Sequence, residues 1–151
     1  MKESVNKVPL LKKYINAVCE ILNIEAPSVS YDAEDFPVPS MLASCDSEGT
    51  TIYLRRGASF NMDLCLAVAH ELRHAWQIRS DKSFWLSSYK PREKCSSLEE
   101  YNLQPAELDA NAFSCVVFNT LFGVNPLFQG LPESVRDEIY KRAKQIVKNN
   151  Q

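Results

Sequence analysis

A histidine, a glutamate and a second histidine lie close together in residues 70–74, which read H-E-L-R-H. In an α-helix, residues four positions apart project from the same face, about 40° apart around the axis. His70 and His74 could therefore occupy two corners of a zinc tetrahedron. Glu71, about 100° from His70 around the same axis, could flank the metal without binding it. Its carboxylate could then accept a proton from the water that the metal activates. The spacing predicts a zinc site with hydrolytic chemistry.

The distribution of histidines and of apolar residues supports this interpretation. The chain contains only two histidines, and both stand at ligand spacing with a glutamate between them. The opposite side of the same predicted helix is apolar and should pack into the core. Its residues are Cys65, Val68, Ala69, Leu72, Ala75 and Trp76. The alternative is a helix with two partly exposed histidines that bind nothing.

A third zinc ligand must come from another part of the chain. Catalytic zinc usually has three protein ligands and one water, and with no third histidine the missing ligand must be a carboxylate or a cysteine. Glu107 is the best candidate, because it lies in the first turn of a largely apolar helix, where an acidic side chain needs a partner. The alternative is that it only favours the helix dipole, an explanation that suits Asp109 better. Asn111, one turn after Glu107, could hydrogen-bond the second nitrogen of a ligating imidazole.

The two segments together resemble the gluzincin group of zincin peptidases, in which H-E-x-x-H on one helix is followed by a glutamate ligand on a second. Within that group, residues 107–113 (E-L-D-A-N-A-F) are similar to the E-x-E-A-N/D-x-F-A motif of the ImmA/IrrE family. These are compact intracellular peptidases, some of which cleave transcriptional repressors. The resemblance covers residues 69–76 and 105–113, and it implies Glu107 as a zinc ligand and Asn111 as its outer-shell neighbour.

The chain departs from that family in three respects. Arg73 stands where glycine is common, no helix-turn-helix DNA-binding segment is evident, and Glu107 follows His74 by 33 positions. Within that interval, residues 80–104 have no sustained periodicity and are predicted to form a long loop of the kind that often serves as a lid or binding segment. The donor that stabilises the oxyanion of a tetrahedral intermediate is expected to come from this loop. Its candidates are Tyr89, Arg92 and Tyr101.

Four helices are predicted from apolar residues that recur at three- and four-residue intervals. Their expected ranges are about 8–22, 59 or 61 to about 78, 105 to about 122, and 132 onward. Proline at positions 9, 105 and 132 suits the first turn of a helix. Ser59 or Asn61 can cap the helix that carries the histidines.

A small antiparallel or mixed sheet is expected beside that helix. Residues 28–31 form one predicted strand, and residues 41–45 and 50–55 flank a turn with Gly49, which is typical of a hairpin. Residues 36–39 contain two prolines and cannot be helix interior. We expect a substrate to lie extended below the sheet and to add a strand to an edge near residues 50–54.

Composition excludes several classes of protein. The chain of 151 residues is 45% hydrophobic and 24% charged, as expected for one globular domain. A net charge of −2 gives no basic face for nucleic acid, and no apolar run is long enough to span a bilayer. Five dispersed cysteines without C-x-x-C spacing indicate free thiols in a reducing compartment, so a cytoplasmic location is expected. Cys65 and Cys115 are predicted to be small core residues.

The sequence therefore predicts an α+β fold: a minimal zincin-like domain over residues 1–151, with a small sheet packed against an active-site helix and three further helices. The predicted function is a zinc-dependent metallopeptidase, expected to be an endopeptidase, that acts on a polypeptide and binds neither nucleic acid nor membrane. The alternatives are a zinc-binding regulatory or interaction module of the same fold that cleaves nothing, and a structural domain without metal.

Overall fold

The computed structural model describes residues 2–31, 36 and 41–149, with side chains from residue 8 onward. The chain divides into two compact units, Met1–Arg79 and Ser80–Gln151. The first unit contains helices α1 (Lys2–Leu22) and α2 (Met62–Ser80) and strands β1 (Ser28–Ser30), β2 (Ala43–Cys45) and β3 (Thr51–Leu54). The second unit contains helices α3 (Lys82–Ser88), α4 (Leu98–Leu103), α5 (Pro105–Phe122) and α6 (Glu133–Asn149). The prediction of one domain stays a prediction, and residues 37–39 of the predicted non-helical segment lie outside the described residues.

Helix α1 begins six residues earlier than predicted, so that Pro9 lies inside the helix and not in its first turn. Pro9 has no N–H for the helical hydrogen bond, and its ring crowds the preceding turn, so the usual placement of proline in the first turn does not hold for this helix. The apolar residues that recur at three- and four-residue intervals along α1 are all buried: Leu11, Tyr14, Ile15, Val18, Cys19 and Leu22. The hydroxyl of Tyr14 donates a hydrogen bond of 2.6 Å to the carbonyl of Cys65 and so ties α1 to α2.

The sheet is mixed, with the strand order β1-β3-β2. Strand β3 pairs with β1 in parallel and with β2 in antiparallel register, so that Ile52 lies opposite both Val29 and Cys45. Both edges of β3 are therefore occupied by neighbouring strands. The expectation that a substrate adds to residues 50–54 is wrong, because the backbone groups of that strand already pair within the sheet.

The predicted hairpin between β2 and β3 is confirmed, and its turn rests on α2. The carboxylate of Asp46 accepts hydrogen bonds from the backbone N–H groups of Thr50 and Thr51 at 2.8 and 3.1 Å. Gly49 has φ +72°, and a Cβ at this position would lie 2.9 Å from the carbonyl oxygen of Ala75. Only glycine gives both the left-handed backbone and this close approach to the helix.

In the second unit, residues 80–104 are mostly helical, which corrects the prediction of a long loop. Helices α3 and α4 occupy much of this segment, with a 3₁₀ turn at Arg92–Lys94 between them. Each helix has a local N-cap: Asp81 accepts from Phe84 N, and Ser97 accepts from Glu100 N. Helices of six or seven residues are too short to show an apolar period, so pattern analysis misses them. The described ranges thus contain six α-helices and not the four predicted, while the α+β class is confirmed.

Helices α5 and α6 follow the predicted ranges closely. Pro105 is the first residue of α5, and Gly123 ends it in the left-handed conformation with its N–H bonded to the carbonyl of Asn119 at 3.0 Å. On α6, Val135 and Ile139 are fully buried, whereas Val147 is 45% exposed and does not belong to the core. In the described part of the chain, no helix is long and apolar enough to cross a membrane.

Candidate metal centre

Helix α2 carries the H-E-x-x-H segment, and its start is determined locally. Asn61 accepts a hydrogen bond from the backbone N–H of Leu64 at 3.0 Å, which identifies Asn61 as the N-cap that the sequence offered beside Ser59. The predicted apolar side is buried from Cys65 to Ala75, and Trp76 is half-buried. Burial of this side fixes the rotation of α2 about its own axis.

The imidazoles of His70 and His74 converge. Their Nε2 atoms are 3.0 Å apart, and the two rings stand at 85° to each other. Zinc–nitrogen bonds of about 2.0–2.1 Å at a tetrahedral angle place two donor nitrogens about 3.3 Å apart. At their present distance the two nitrogens can share a proton. If they moved slightly apart, they could bind one cation between them, so the donor geometry fits zinc. His74 is 4% exposed and His70 is half-buried, so only one of the two histidines is partly exposed.

Gln77 is the partner of the second nitrogen of His74. Its side-chain oxygen lies 2.8 Å from Nδ1 of His74, and Gln77 is itself 1% exposed. An amide oxygen only accepts hydrogen bonds, so the proton of this pair lies on Nδ1 of His74. Gln77 was not predicted as such a partner, and Asn111 was expected in this role. The signal was present, because Gln77 follows His70 by seven residues and therefore shares its helix face.

Glu71 lies beside the histidine pair. One carboxylate oxygen of Glu71 and one ring nitrogen from each of His70 and His74 lie within 4.8 Å of one another. The carboxylate is half-buried and faces the end of β2, where its negative charge acts on Cys45. Burial first, then the charges of Glu71 and Asp46, raise the pKa of the Cys45 thiol well above its ordinary value. The Cys45 thiol is therefore neutral near neutral pH.

Arg73, at the position where the resembled family often has glycine, packs within the same helix. Its guanidinium carbon lies 3.8 Å from the ring centroid of Trp76, and the residue is 7% exposed. A cation over an aromatic face in a desolvated setting is stabilised by about 2 kcal/mol. The arginine thus has a structural partner on the helix that bears the histidines.

In the second unit, Glu107 is 2% exposed and lies in the first turn of α5, as predicted. The hydroxyl of Tyr101 lies 3.3 Å from Oε1 of Glu107 and donates to it. Asn111 lies one turn further along α5 and is half-buried. The predicted roles of Glu107 as third ligand and of Asn111 as its outer-shell neighbour stay predictions.

Asp109 has a different role from the one its position suggested. It is 3% exposed and forms an ion pair with Arg142 of α6, whose Nη2 and Nε atoms lie 2.8 and 3.0 Å from one carboxylate oxygen. The interpretation of Asp109 as a residue that favours the helix dipole is therefore incomplete, because this carboxylate is buried against a specific cation on another helix.

The three oxyanion candidates all lie in the second unit. Tyr89 stacks on Trp85 with ring centroids 4.3 Å apart. The rings of Tyr89 and Tyr101 form an edge-to-face pair with centroids 6.2 Å apart. Arg92 is exposed and donates to the carbonyl of Cys95 at 3.3 Å. Tyr101 differs from the other two in that its hydroxyl contacts the predicted zinc ligand Glu107. The oxyanion role itself stays a prediction for each of the three.

The five cysteines form no disulfide, and four of them are buried, with Cys45 half-exposed. Cys65 and Cys115 are confirmed as core residues. Burial raises the pKa of Cys65 to about 11 and that of Cys115 to about 12. Thiols of this kind are poor nucleophiles at neutral pH, because only the thiolate reacts.

The resemblance to gluzincin peptidases and to the ImmA/IrrE family rests on the two motifs and stays a prediction. No protein-family model, no curated protein and no solved structure matches this chain.

Proposed function

We propose that this protein is a zinc-dependent metallopeptidase of zincin-like fold, in which His70 and His74 bind the metal and Glu71 is the general base. The observation that carries the proposal is the 3.0 Å separation of the two Nε2 atoms, with the carboxylate of Glu71 beside them. Two convergent imidazoles and an adjacent, non-ligating carboxylate supply two of the three ligands and the general base that zinc-assisted peptide hydrolysis usually employs, and Glu107 is the proposed third ligand.

Each residue has a separate task in the proposed reaction. A bound zinc ion would lower the pKa of a coordinated water toward about 7 and polarise the scissile carbonyl. Glu71 accepts a proton from the attacking water and delivers it to the leaving amine. His74 is kept in place by Gln77, so that its orientation does not depend on the metal alone.

We infer that the enzyme is an endopeptidase and that its substrate is a polypeptide in extended conformation. Within the described residues β2 is an outer strand of the sheet, and its last residue, Cys45, interacts electrostatically with Glu71. A peptide that adds a strand beside β2 would carry its backbone toward the general base. The five unpaired cysteines accord with work in the reducing cytoplasm.

Zinc stoichiometry and peptide hydrolysis in one set of variants test the proposal. We expect one zinc per chain in the wild type and in Glu71→Gln. Hydrolysis of an unfolded polypeptide should fall by about 10²- to 10⁴-fold in Glu71→Gln, because the general base is lost. His70→Ala should lose both zinc and activity. Glu20→Gln, at an exposed position on α1, is the matched control and should behave as wild type.

Different results separate the proposal from its alternatives. Absence of zinc from the wild type, even after zinc is offered at neutral pH, would refute the metal site and leave a structural domain. One zinc per chain without hydrolysis of any unfolded polypeptide would indicate a zinc-binding module that cleaves nothing. Hydrolysis by Glu71→Gln at the wild-type rate would remove Glu71 from the mechanism but leave the metal site in place.

A further inference from the structure

Gln77 is a buried polar side chain on the helix face that carries both histidines. It is 1% exposed, and its side-chain oxygen accepts a hydrogen bond from Nδ1 of His74 at 2.8 Å. Burial of an amide is unfavourable unless its polar atoms are hydrogen-bonded. An apolar residue of similar size would fill the same volume but could not accept the hydrogen bond from His74.

The hydrogen bond determines which nitrogen of His74 can bind a metal. A neutral imidazole carries one proton, on either Nδ1 or Nε2, and only the other nitrogen has a lone pair for a metal. Free imidazole side chains in water populate both tautomers. Because the amide oxygen of Gln77 can only accept, it favours the tautomer with the proton on Nδ1. Nε2 of His74, the atom that faces Nε2 of His70, then keeps its lone pair.

We propose that Gln77 is a positioning residue that holds His74 in the Nδ1–H tautomer and so directs the Nε2 lone pair toward the metal. The inference rests on the proposed function for the identity of the ligand, but the tautomer is a property of the metal-free protein. Partners of this kind typically change metal affinity by about 10- to 100-fold when removed. Gln77 does not touch the substrate or the metal in this scheme.

Three proteins test the proposal: wild type, Gln77→Met and Gln77→Glu. Methionine has nearly the same volume as glutamine and fills the buried site but accepts no comparable hydrogen bond. Glutamate keeps an acceptor oxygen at the same position. The tautomer is measured by nitrogen NMR on metal-free protein labelled at histidine, at about pH 8.5, where free imidazole is neutral. Since the chain has two histidines, His70→Ala assigns both rings.

We expect the Nδ1–H tautomer of His74 in the wild type and in Gln77→Glu, and a shift toward Nε2–H in Gln77→Met. The zinc Kd should rise about 10- to 100-fold in Gln77→Met and stay at or below the wild-type value in Gln77→Glu. A purely structural role for Gln77 would lower the unfolding midpoint of both variants and leave the tautomer unchanged. That result, or the Nε2–H tautomer in metal-free wild type, would overturn the proposal.

The outcomes also distinguish this inference from the proposed function. If Gln77→Met binds zinc with the wild-type Kd, the positioning role fails and the metal site stands. If the tautomer shifts as expected in Gln77→Met but no protein of the set binds zinc, the tautomer assignment is correct and the metallopeptidase function fails.

Discussion

The phenol of Tyr101 donates a hydrogen bond to Oε1 of Glu107, with 3.3 Å between the two oxygens. The tyrosine belongs to α4 and the glutamate to the first turn of α5, so the contact spans the junction of the two helices. Glu107 is 2% exposed, and a buried carboxylate is costly without donors or a cation. Tyr101 supplies one such donor.

This contact predicts how zinc affinity responds to two substitutions. If Glu107 is a ligand, Glu107→Ala should release most of the zinc, and Tyr101→Phe should raise the zinc Kd by about 10-fold, because it removes a donor that orients the carboxylate. Competition with a chromophoric chelator measures both. Tyr89→Phe is the matched control: the stacking on Trp85 is retained, so zinc affinity should not change.

One outcome of the zinc-affinity measurement would contradict this prediction. Equal zinc affinity in wild type and in Glu107→Ala would exclude Glu107 as a ligand. The third ligand would then have to be sought among the remaining carboxylates and cysteines, and Tyr101 would have only a packing role.

The approach of the hairpin to α2 predicts different costs for two glycine substitutions. Gly49→Ala places a Cβ in the left-handed conformation and 2.9 Å from the carbonyl oxygen of Ala75. Gly57 has a similar φ of +83°, but a Cβ there meets nothing within 4 Å. Gly57→Ala should cost about 1–2 kcal/mol of unfolding free energy from backbone strain alone. Gly49→Ala should cost about 1–3 kcal/mol more, because the clash adds to the strain.

Chemical denaturation of the two alanine variants measures this difference. Ala75 follows His74 directly, so a displaced hairpin should also weaken zinc binding in Gly49→Ala and leave it unchanged in Gly57→Ala. Equal destabilisation of the two variants would show that the hairpin turn makes no tight steric contact with α2 at Gly49.

The ion pair between Asp109 and Arg142 predicts a large loss of stability when the arginine is removed. Asp109 is 3% exposed, so Arg142→Met leaves a buried carboxylate without its cation, which typically costs about 3–5 kcal/mol. The double variant Asp109→Asn, Arg142→Met should recover part of this loss, because the uncompensated charge is gone. Thermal and urea unfolding of the single and double variants measure the coupling.

A surface pair provides the comparison. Lys90 and Glu100 are 3.3 Å apart, with side chains 56% and 40% exposed. Lys90→Met should leave the unfolding midpoint unchanged within error, since water and salt screen exposed pairs. A loss in Lys90→Met as large as that in Arg142→Met would contradict the assignment of Asp109 as a buried charge.

The hairpin turn predicts a pH dependence of stability. Burial acts to raise the pKa of Asp46, but hydrogen bonds from Thr51, Thr50 and Gly49 outweigh it and hold the pKa below its ordinary value. A carboxyl group with a lowered pKa in the folded protein stabilises the fold above its unfolded pKa, and this contribution is lost as the pH falls through the folded pKa. The stability difference between wild type and Asp46→Asn should therefore be greatest near neutral pH and should shrink below about pH 4. A difference that is independent of pH between 3 and 7, in urea unfolding curves, would contradict this account.

The local features of the candidate site follow from the amino-acid sequence alone. The i, i+4 histidine pair, a helix cap at Ser59 or Asn61, the turn at Gly49 and the limits of α5 at Pro105 and Gly123 all depend on residues near each other in the chain. Helix geometry, capping and turn formation are short-range effects, so residue type and spacing are sufficient to predict them. The short helices α3 and α4 were missed for the opposite reason, since six or seven residues are too few for a periodic signal.

Only the tertiary structure decided how distant segments pair. It placed β3 between β1 and β2, which removes the strand edge expected for substrate, and it joined Asp109 to Arg142 across 33 residues of sequence. The hydrogen bond between His74 and Gln77 depends on both levels: the spacing within α2 brings the two side chains to neighbouring positions, and the rotamers that packing selects decide that they pair. Strand order, buried charge pairs and side-chain rotamers result from packing between elements, and that information is not contained in the spacing of residues within one element.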